Sequence, residues 1–220
     1  MKILILGTSS KSGVSYLIGE ILREADHEII YTGRNDRKLD RLVEHKIVRC
    51  DVTVPADLAK RFEEYSPDVV IHAAGAYCSP KKLGTIRRLA VEDHLLVKSL
   101  GTLLVLSQAA ATPSVQYVIA LGGREVSQDP GYSMYTVGNG AMWSAIQFAN
   151  LHSNLKCFFL DLPLVEGSTM AAKYLADEAT DKSGLTHSIS PLEIAIEISE
   201  ILTGARDSAK RIVLKPEWVV

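Results

Sequence analysis

The run Gly7-Thr8-Ser9-Ser10-Lys11-Ser12-Gly13-Val14-Ser15 concentrates residue types that hold a phosphorylated ligand. A glycine permits a tight turn, small side chains let backbone N–H groups approach a diphosphate, and a following helix offers its N-terminus. Ser9, Ser10 and Ser12 bring hydroxyl donors and Lys11 brings positive charge. A plain glycine- and serine-rich loop is the other reading. Position favours the ligand, because the run joins the apolar segment Lys2–Leu6 to a segment of helical period. Arg34 is the second candidate, with Asn35 beside it. It follows Ile29-Ile30-Tyr31-Thr32-Gly33, where a site for an unphosphorylated adenosine ribose places an acid. A planar, permanently charged guanidinium there suits a 2′-phosphate instead, although a solvent-exposed arginine at a helix start is also common.

The elements that must position these residues are legible from apolar patterning. Strands are expected at Lys2–Leu6, Glu28–Thr32, Lys46–Cys50, Val69–Ala73, Gln116–Leu121, Lys156–Asp161 and Arg211–Leu214. Helices are expected at Gly13–Glu24, Arg37–Glu44, Pro55–Glu64, Ile86–Ala111, Tyr132–Leu151 and Pro191–Leu202. Continuous apolar runs such as KILIL, DVVIHAA and QYVIAL suit parallel strands covered on both faces. The alternation predicts an α/β fold of the three-layer Rossmann type, with a doubly wound parallel sheet of about seven strands. We expect one dinucleotide-binding domain over residues 1–220. The irregular stretch Ser168–Ser188, with a short helix near Met170–Ala176, reads either as a surface loop or as a substrate lid beside the crevice.

Composition narrows the function. Apolar residues make up 47% and charged residues 23%, and the formal charge of −2 offers no basic footprint for nucleic acid. The six histidines lack metal-ligand spacing, so no metal is expected. Cys50, Cys78 and Cys157 form no paired motif and read as reduced thiols. The apolar start Met1–Leu6 is too short for a signal-peptide core, and no stretch reaches the roughly 18 apolar residues of a membrane span. The expectation is a cytoplasmic protein with a small-molecule substrate and neither nucleic-acid nor membrane partners.

The first turn departs from G-x-G-x-x-G and resembles the nucleotide loop of short-chain dehydrogenases/reductases. The nearest form is that of their enoyl-acyl-carrier-protein reductase branch, G-x-x-x-x-x-S-x-A, with Gly13 and Ser15 replacing its serine and alanine. Further matches follow in order. Cys50-Asp51-Val52-Thr53 resembles the x-D-V-T run whose acid meets the adenine, and His72-Ala73-Ala74-Gly75 resembles N-N-A-G. Leu162-Pro163-Leu164-Val165-Glu166-Gly167-Ser168-Thr169 resembles P-G-x-V-x-T, which implies nicotinamide contacts from Pro163, Val165 and Thr169. The resemblance implies NADP(H) ahead of NAD(H), bound by Gly7, Ser9, Ser10, Lys11, Ser12, Gly13, Val14, Arg34, Asn35, Asp51, Val52, Ala73, Ala74 and Gly75. It also implies a homodimer or homotetramer built on the helices Ile86–Ala111 and Tyr132–Leu151, where Gly138, Gly140 and Ala141 either allow close packing or serve cofactor approach.

The family's catalytic set is only partly present. In that set a tyrosine handles the substrate proton, and a lysine one turn later lowers its pKa and binds the nicotinamide ribose. Pro130-Gly131-Tyr132-Ser133-Met134-Tyr135 through Ala141 places Tyr135 at the tyrosine position but Asn139 at the lysine position. The serine position falls on Gly122, and the asparagine position of the preceding helix falls on Lys98. In one reading Lys98 and Asn139 have exchanged residue types, so that the ammonium approaches Tyr135 while Asn139 keeps a ribose contact. In the other the site has decayed. Ser127, Ser133 or the amides of Gly122 and Gly123 are candidates to replace the serine. The expected activity is an NADP(H)-dependent oxidoreductase acting on a small carbonyl, alcohol or enoyl substrate. The alternative is an inactive, dinucleotide-binding homologue with a sensing or regulatory role.

Overall fold

Alternate side chains on the first strand, β1 (Lys2–Leu6), go to opposite faces of one sheet. Leu4 and Leu6 enter one core cluster, Ile3 and Ile5 the other, and all four are fully buried. A strand covered on both faces must read as a continuous apolar run, which is why KILIL is legible without alternation. The computed structural model describes residues 1–34, 47–75, 88–123, 133–176, 188–207 and 211–214.

The remaining elements are α1 (Val14–Glu24), β2 (Glu28–Gly33), β3 (Ile47–Arg49), α2 (Pro55–Tyr65) and β4 (Val69–His72). Then come α3 (Arg88–Leu95), a π-helical turn (Leu96–Gly101), α4 (Thr102–Ala110), β5 (Tyr117–Gly123) and α5 (Ser133–His152). The chain continues through β6 (Lys156–Leu162), β7 (Leu164–Val165), α6 (Thr169–Ala176), β8 (Ser188–Ile189), α7 (Pro191–Leu202) and β9 (Arg211–Val213). Seven strands form one parallel sheet in the order β3-β2-β1-β4-β5-β6-β9. Side chains of α1 and α7 fill the core on one face, and those of α2, α4 and α5 fill the other. This is a Rossmann-like α/β fold. Strand order reverses between β1 and β4, and ligands of such sheets bind at that switch point, outside the carboxyl ends of the strands.

Local signals explain individual elements. Helix α7 starts at Pro191 behind a capping box, in which Glu193 N donates to Ser190 Oγ at 3.2 Å and Ser190 N donates to Glu193 Oε2 at 2.8 Å. Helix α2 ends where Ser66 adopts a left-handed conformation with φ of 43°.

Two features differ from the sequence expectation. Ile86–Ala111 was expected as one regular helix, but within its described part Leu96–Gly101 is a π-helical turn. The short parallel pair β7–β8, joining Leu164 to Ser188 and Val165 to Ile189, was not anticipated, because two residues carry no periodicity. The expected helix Arg37–Glu44, Asn35, Cys78, Ser127 and residues 177–187 lie outside the described residues. Among the described residues no helix is long and apolar enough to cross a membrane, and no group of three His, Cys, Asp or Glu side chains is placed to hold a metal ion.

Candidate functional site

The turn after β1 is shaped by contact with the segment after β4. Gly7 has φ of +103°, and a Cβ there would lie 2.3 Å from Ala74 Cα. Glycine is therefore required both by conformation and by space. Gly7 N and Thr8 N both donate to Thr32 O, at 3.0 and 2.7 Å, which fixes the turn to the end of β2. Ser9, Lys11 and Ser12 are exposed along it. Helix α1 then begins with Gly13 as its N-cap, with no side-chain cap and no acid in its first turn. An α-helix start with this composition is receptive to an anion. Thr8 Oγ1, a group that sequence reasoning missed, is buried with no hydrogen-bond partner among the described residues. The cradle, the uncapped helix start and the orphaned hydroxyl all fit a diphosphate.

Thr169 belongs to this turn as much as to the nicotinamide side where the sequence put it. Its hydroxyl lies 2.9 Å from Ser10 Oγ and 2.8 Å from Ser12 Oγ, and its N–H donates to Ser12 O at 2.8 Å. Val165 turns its side chain into the core, and its carbonyl accepts from Ser168 N at 3.3 Å. Pro163 is half-buried between β6 and β7.

At the adenosine end, Arg34 follows β2 directly and is about half exposed. Its Nη1 and Nη2 donate to Asp93 Oδ1 and Oδ2, each at 2.5 Å, in a bidentate pair. The pairing raises the guanidinium's pKa and lowers that of the carboxyl. Asp51 Oδ1 accepts from Thr53 N and Thr53 Oγ1, at 2.9 and 2.7 Å. Val52 is buried, and its Cγ2 would lie 2.9 Å from a Cβ at Gly101. Its side chain thus packs on the π-helical turn and only its backbone is left for a ligand. Asp93 carries no signal in the linear sequence, since it lies 59 positions from its partner.

Two of the expected catalytic positions, Lys98 and Asn139, converge at the carboxyl end of β5. Lys98 is a side chain of the π-helical turn and is only 3% exposed. Lys98 is therefore not a solvated lysine of a helix surface. Its Nζ donates to Leu121 O at 2.9 Å, one residue past the last β4–β5 partner pair, His72 and Ala120. A Cβ at Gly75 would lie 3.1 Å from Lys98 Cε and 3.5 Å from Nζ, so the ammonium sits behind the exposed backbone that follows β4. Burial lowers its pKa to about 8.

His72 lies beneath it, fully buried. Thr102 Oγ1 donates to Lys98 O at 2.7 Å, so it accepts from His72 Nε2 at 3.1 Å, and Nδ1 has no hydrogen-bond partner among the described residues. Burial, and then the charge of Lys98, lower the imidazole pKa to about 3, which keeps it neutral.

Helix α5 brings the other positions. Asn139 is buried, and its Nδ2 donates to Gly123 O at 3.0 Å while Oδ1 has no partner among the described residues. Tyr135 lies one turn earlier on the same helix, on the same face by its spacing; its side chain is outside the described residues. Gly138 is no part of an open packing surface, because a Cβ there would lie 2.6 Å from His94 Nε2 and 3.3 Å from Lys98 Cβ. Gly140 faces open space.

The serine position is closed. A Cβ at Gly122 would lie 2.2 Å from Phe159 Cζ, so no hydroxyl-bearing side chain fits there without moving that ring. Gly122 and Gly123 continue β5 alongside β6, opposite Asp161 and Leu162.

Residues 3–126, more than half of the chain, match the sequence model of the NAD dependent epimerase/dehydratase family. The chain belongs to that family. This makes it a short-chain dehydrogenase/reductase-type protein with a Rossmann nucleotide-binding fold. No curated protein matches this NAD-dependent epimerase/dehydratase family member in sequence. Solved structures do resemble it. A short-chain type dehydrogenase/reductase from Mycobacterium ulcerans has a TM-score of 0.80 and 17% identity, over 96% of this chain and 86% of that one. An enoyl-[acyl-carrier-protein] reductase (NADH) from Aquifex aeolicus VF5 has a TM-score of 0.75 and 11% identity, over 99% and 95%. A protein named ribose-5-phosphate isomerase from Brucella melitensis 16M has a TM-score of 0.81 and 14% identity, over 97% and 90%. At these identities the likeness shows the fold, and the different names show that the fold does not select a reaction.

Proposed function

We propose that this family member binds a nicotinamide dinucleotide, NADP(H) ahead of NAD(H), and oxidises or reduces a small carbonyl, alcohol or enoyl compound. The observation that carries the reading is the buried Lys98 ammonium, held at the end of β5 behind Gly75 and close to the α5 helix that bears Tyr135 and Asn139. A buried cation is costly unless it serves a purpose.

The bound dinucleotide would supply or accept the hydride. The amides of the turn from Gly7 to Ser15 and the start of α1 hold its diphosphate, with Ser9, Ser10, Lys11, Ser12 and Val14 alongside. Arg34 and Asn35 take the 2′-phosphate, Asp51 and the Val52 backbone take the adenine, and Ala73, Ala74 and Gly75 line the wall between. Asn139 offers Oδ1 to a ribose hydroxyl, and Pro163, Val165 and Thr169 border the nicotinamide end. Tyr135 moves the proton at the substrate oxygen, and the Lys98 cation stabilises its phenolate, a role that needs a neighbouring positive charge.

A second reading has one observation in its favour. Phe159 closes the position from which a hydroxyl would orient the substrate carbonyl. That suits a homologue that binds dinucleotide and senses it without turnover.

One set of measurements separates the two. Calorimetric titration with NADPH and NADH reads binding, and loss of the reduced-nicotinamide absorbance over a panel of aldehydes, ketones and enoyl thioesters reads turnover. The enzyme reading expects binding, turnover, and loss of turnover with retained binding in Lys98→Met. Binding without turnover across the panel selects the sensing homologue. A calorimetrically silent protein removes both.

A further inference from the structure

We infer that Asp93 weakens the NADP(H) preference of this protein by competing with an adenosine 2′-phosphate for the guanidinium fork of Arg34. The inference rests on the dinucleotide reading above and deepens it. Arg34 and Asp93 come from segments that follow β2 and β4, the strands on either side of β1. The pair therefore joins the two borders of the crevice into which the β1 turn opens. Both Nη atoms are used, one on each carboxylate oxygen. A phosphate would present the same two-oxygen edge to the same two donors, so the two anions compete for one fork.

The competition acts on one coenzyme only. NADP(H) must break both charge-assisted hydrogen bonds and then leave the Asp93 carboxylate beside a phosphate of like charge. NAD(H) carries a hydroxyl at that position, and the pair can stay closed while it binds. Asp93 thus lowers the NADP(H) preference that Arg34 alone would confer. Asp51 contributes further negative charge to Arg34, but its own Oδ1 is engaged by Thr53, which leaves Asp93 as the carboxylate that grips the fork. His94, the next residue, also favours the charged Asp93 carboxylate, in the same direction as Arg34.

The test is calorimetric titration of the full chain and of Asp93→Asn with NADPH and with NADH. Asparagine keeps the size of the side chain and removes its charge. NADPH is expected to bind the variant about five- to tenfold more tightly, the scale of releasing an exposed ion pair and one like-charge contact, with NADH changed less than twofold. The gain is expected to vanish when Arg34→Ala is combined with Asp93→Asn, because the fork is then gone. An unchanged ratio of the two affinities overturns the inference and leaves the dinucleotide site standing. A gain that persists without Arg34 overturns it too, since the effect would then be one of general charge. If neither coenzyme binds either protein, the dinucleotide reading fails and takes the inference with it.

Discussion

Lys98 is where residue type and burial disagree most, and the disagreement has a measurable sign. Its ammonium pKa falls from 10.5 to about 8 on folding. Below about pH 8 both folded and unfolded chains carry the proton, and the folded state bears the full cost of burying it. Between about pH 8 and 10.5 the unfolded chain binds more protons, so stability rises with pH. In Lys98→Met this rise is absent. Denaturant unfolding of both proteins across that window is expected to show wild type gaining on the variant by up to roughly 3 kcal/mol. A constant gap would mean that the amine is not buried as a cation. At this scale the site is only partly legible from residue order. Gly7, Arg34 and Lys98 were singled out because their types are unusual at their positions relative to strands and helices. Asp93 and Thr8 were not, because a carboxylate on a helix and a threonine in a turn look ordinary until folding brings the partner or withholds it.

Elements decide what those residues can do. The sheet brings β5 against β6 with Gly122 opposite Asp161, and it seats Phe159 across the space above Gly122. Restoring a serine at position 122 therefore overpacks the β5–β6 contact. Gly122→Ser is expected to cost about 1–3 kcal/mol, and Gly122→Ser combined with Phe159→Leu to recover most of it, as read from denaturant midpoints. Equal loss in single and double variants would show that the ring is not the obstacle. Strands β1, β4 and β5 are legible because both faces are buried and the runs are continuous, and α7 is legible because Ser190, Pro191 and Glu193 mark its start. The π-helical turn was not, because inserting one wider turn leaves the apolar spacing of Val97, Val105 and Leu106 readable as an ordinary helix. The turn matters, since it carries Lys98 inward.

For the whole molecule, helix α5 raises the question of partners. Val137, Phe148 and Leu151 are exposed along it, the last two by 60% and 79%, and Leu96, Leu100 and Leu103 are exposed on the neighbouring helical segment. Isolated exposed apolar residues are ordinary, but two such rows on adjacent helices are the kind of surface that copies of a chain cover. We propose a homodimer or homotetramer through these helices. Light scattering on the purified protein is expected to give at least twice the chain mass, and Leu103→Glu with Phe148→Glu to give the monomer. A wild-type monomer at high micromolar concentration would dismiss the assembly. Sequence alone placed the helices and named them as the interface by resemblance. Of the small residues on α5, Gly138 packs within the chain against His94 and Lys98.

The clasp of Thr169 on Ser10 and Ser12 bears on how this protein could be recombined with its relatives. It ties the opening residues of the chain to a residue three-quarters of the way along it. A chimaera that takes its final third from a relative inherits a working first turn only if the graft brings a hydroxyl to that position. The natural crossover for gene shuffling therefore lies after α6, even though the strand order alone would suggest a cut between β5 and β6.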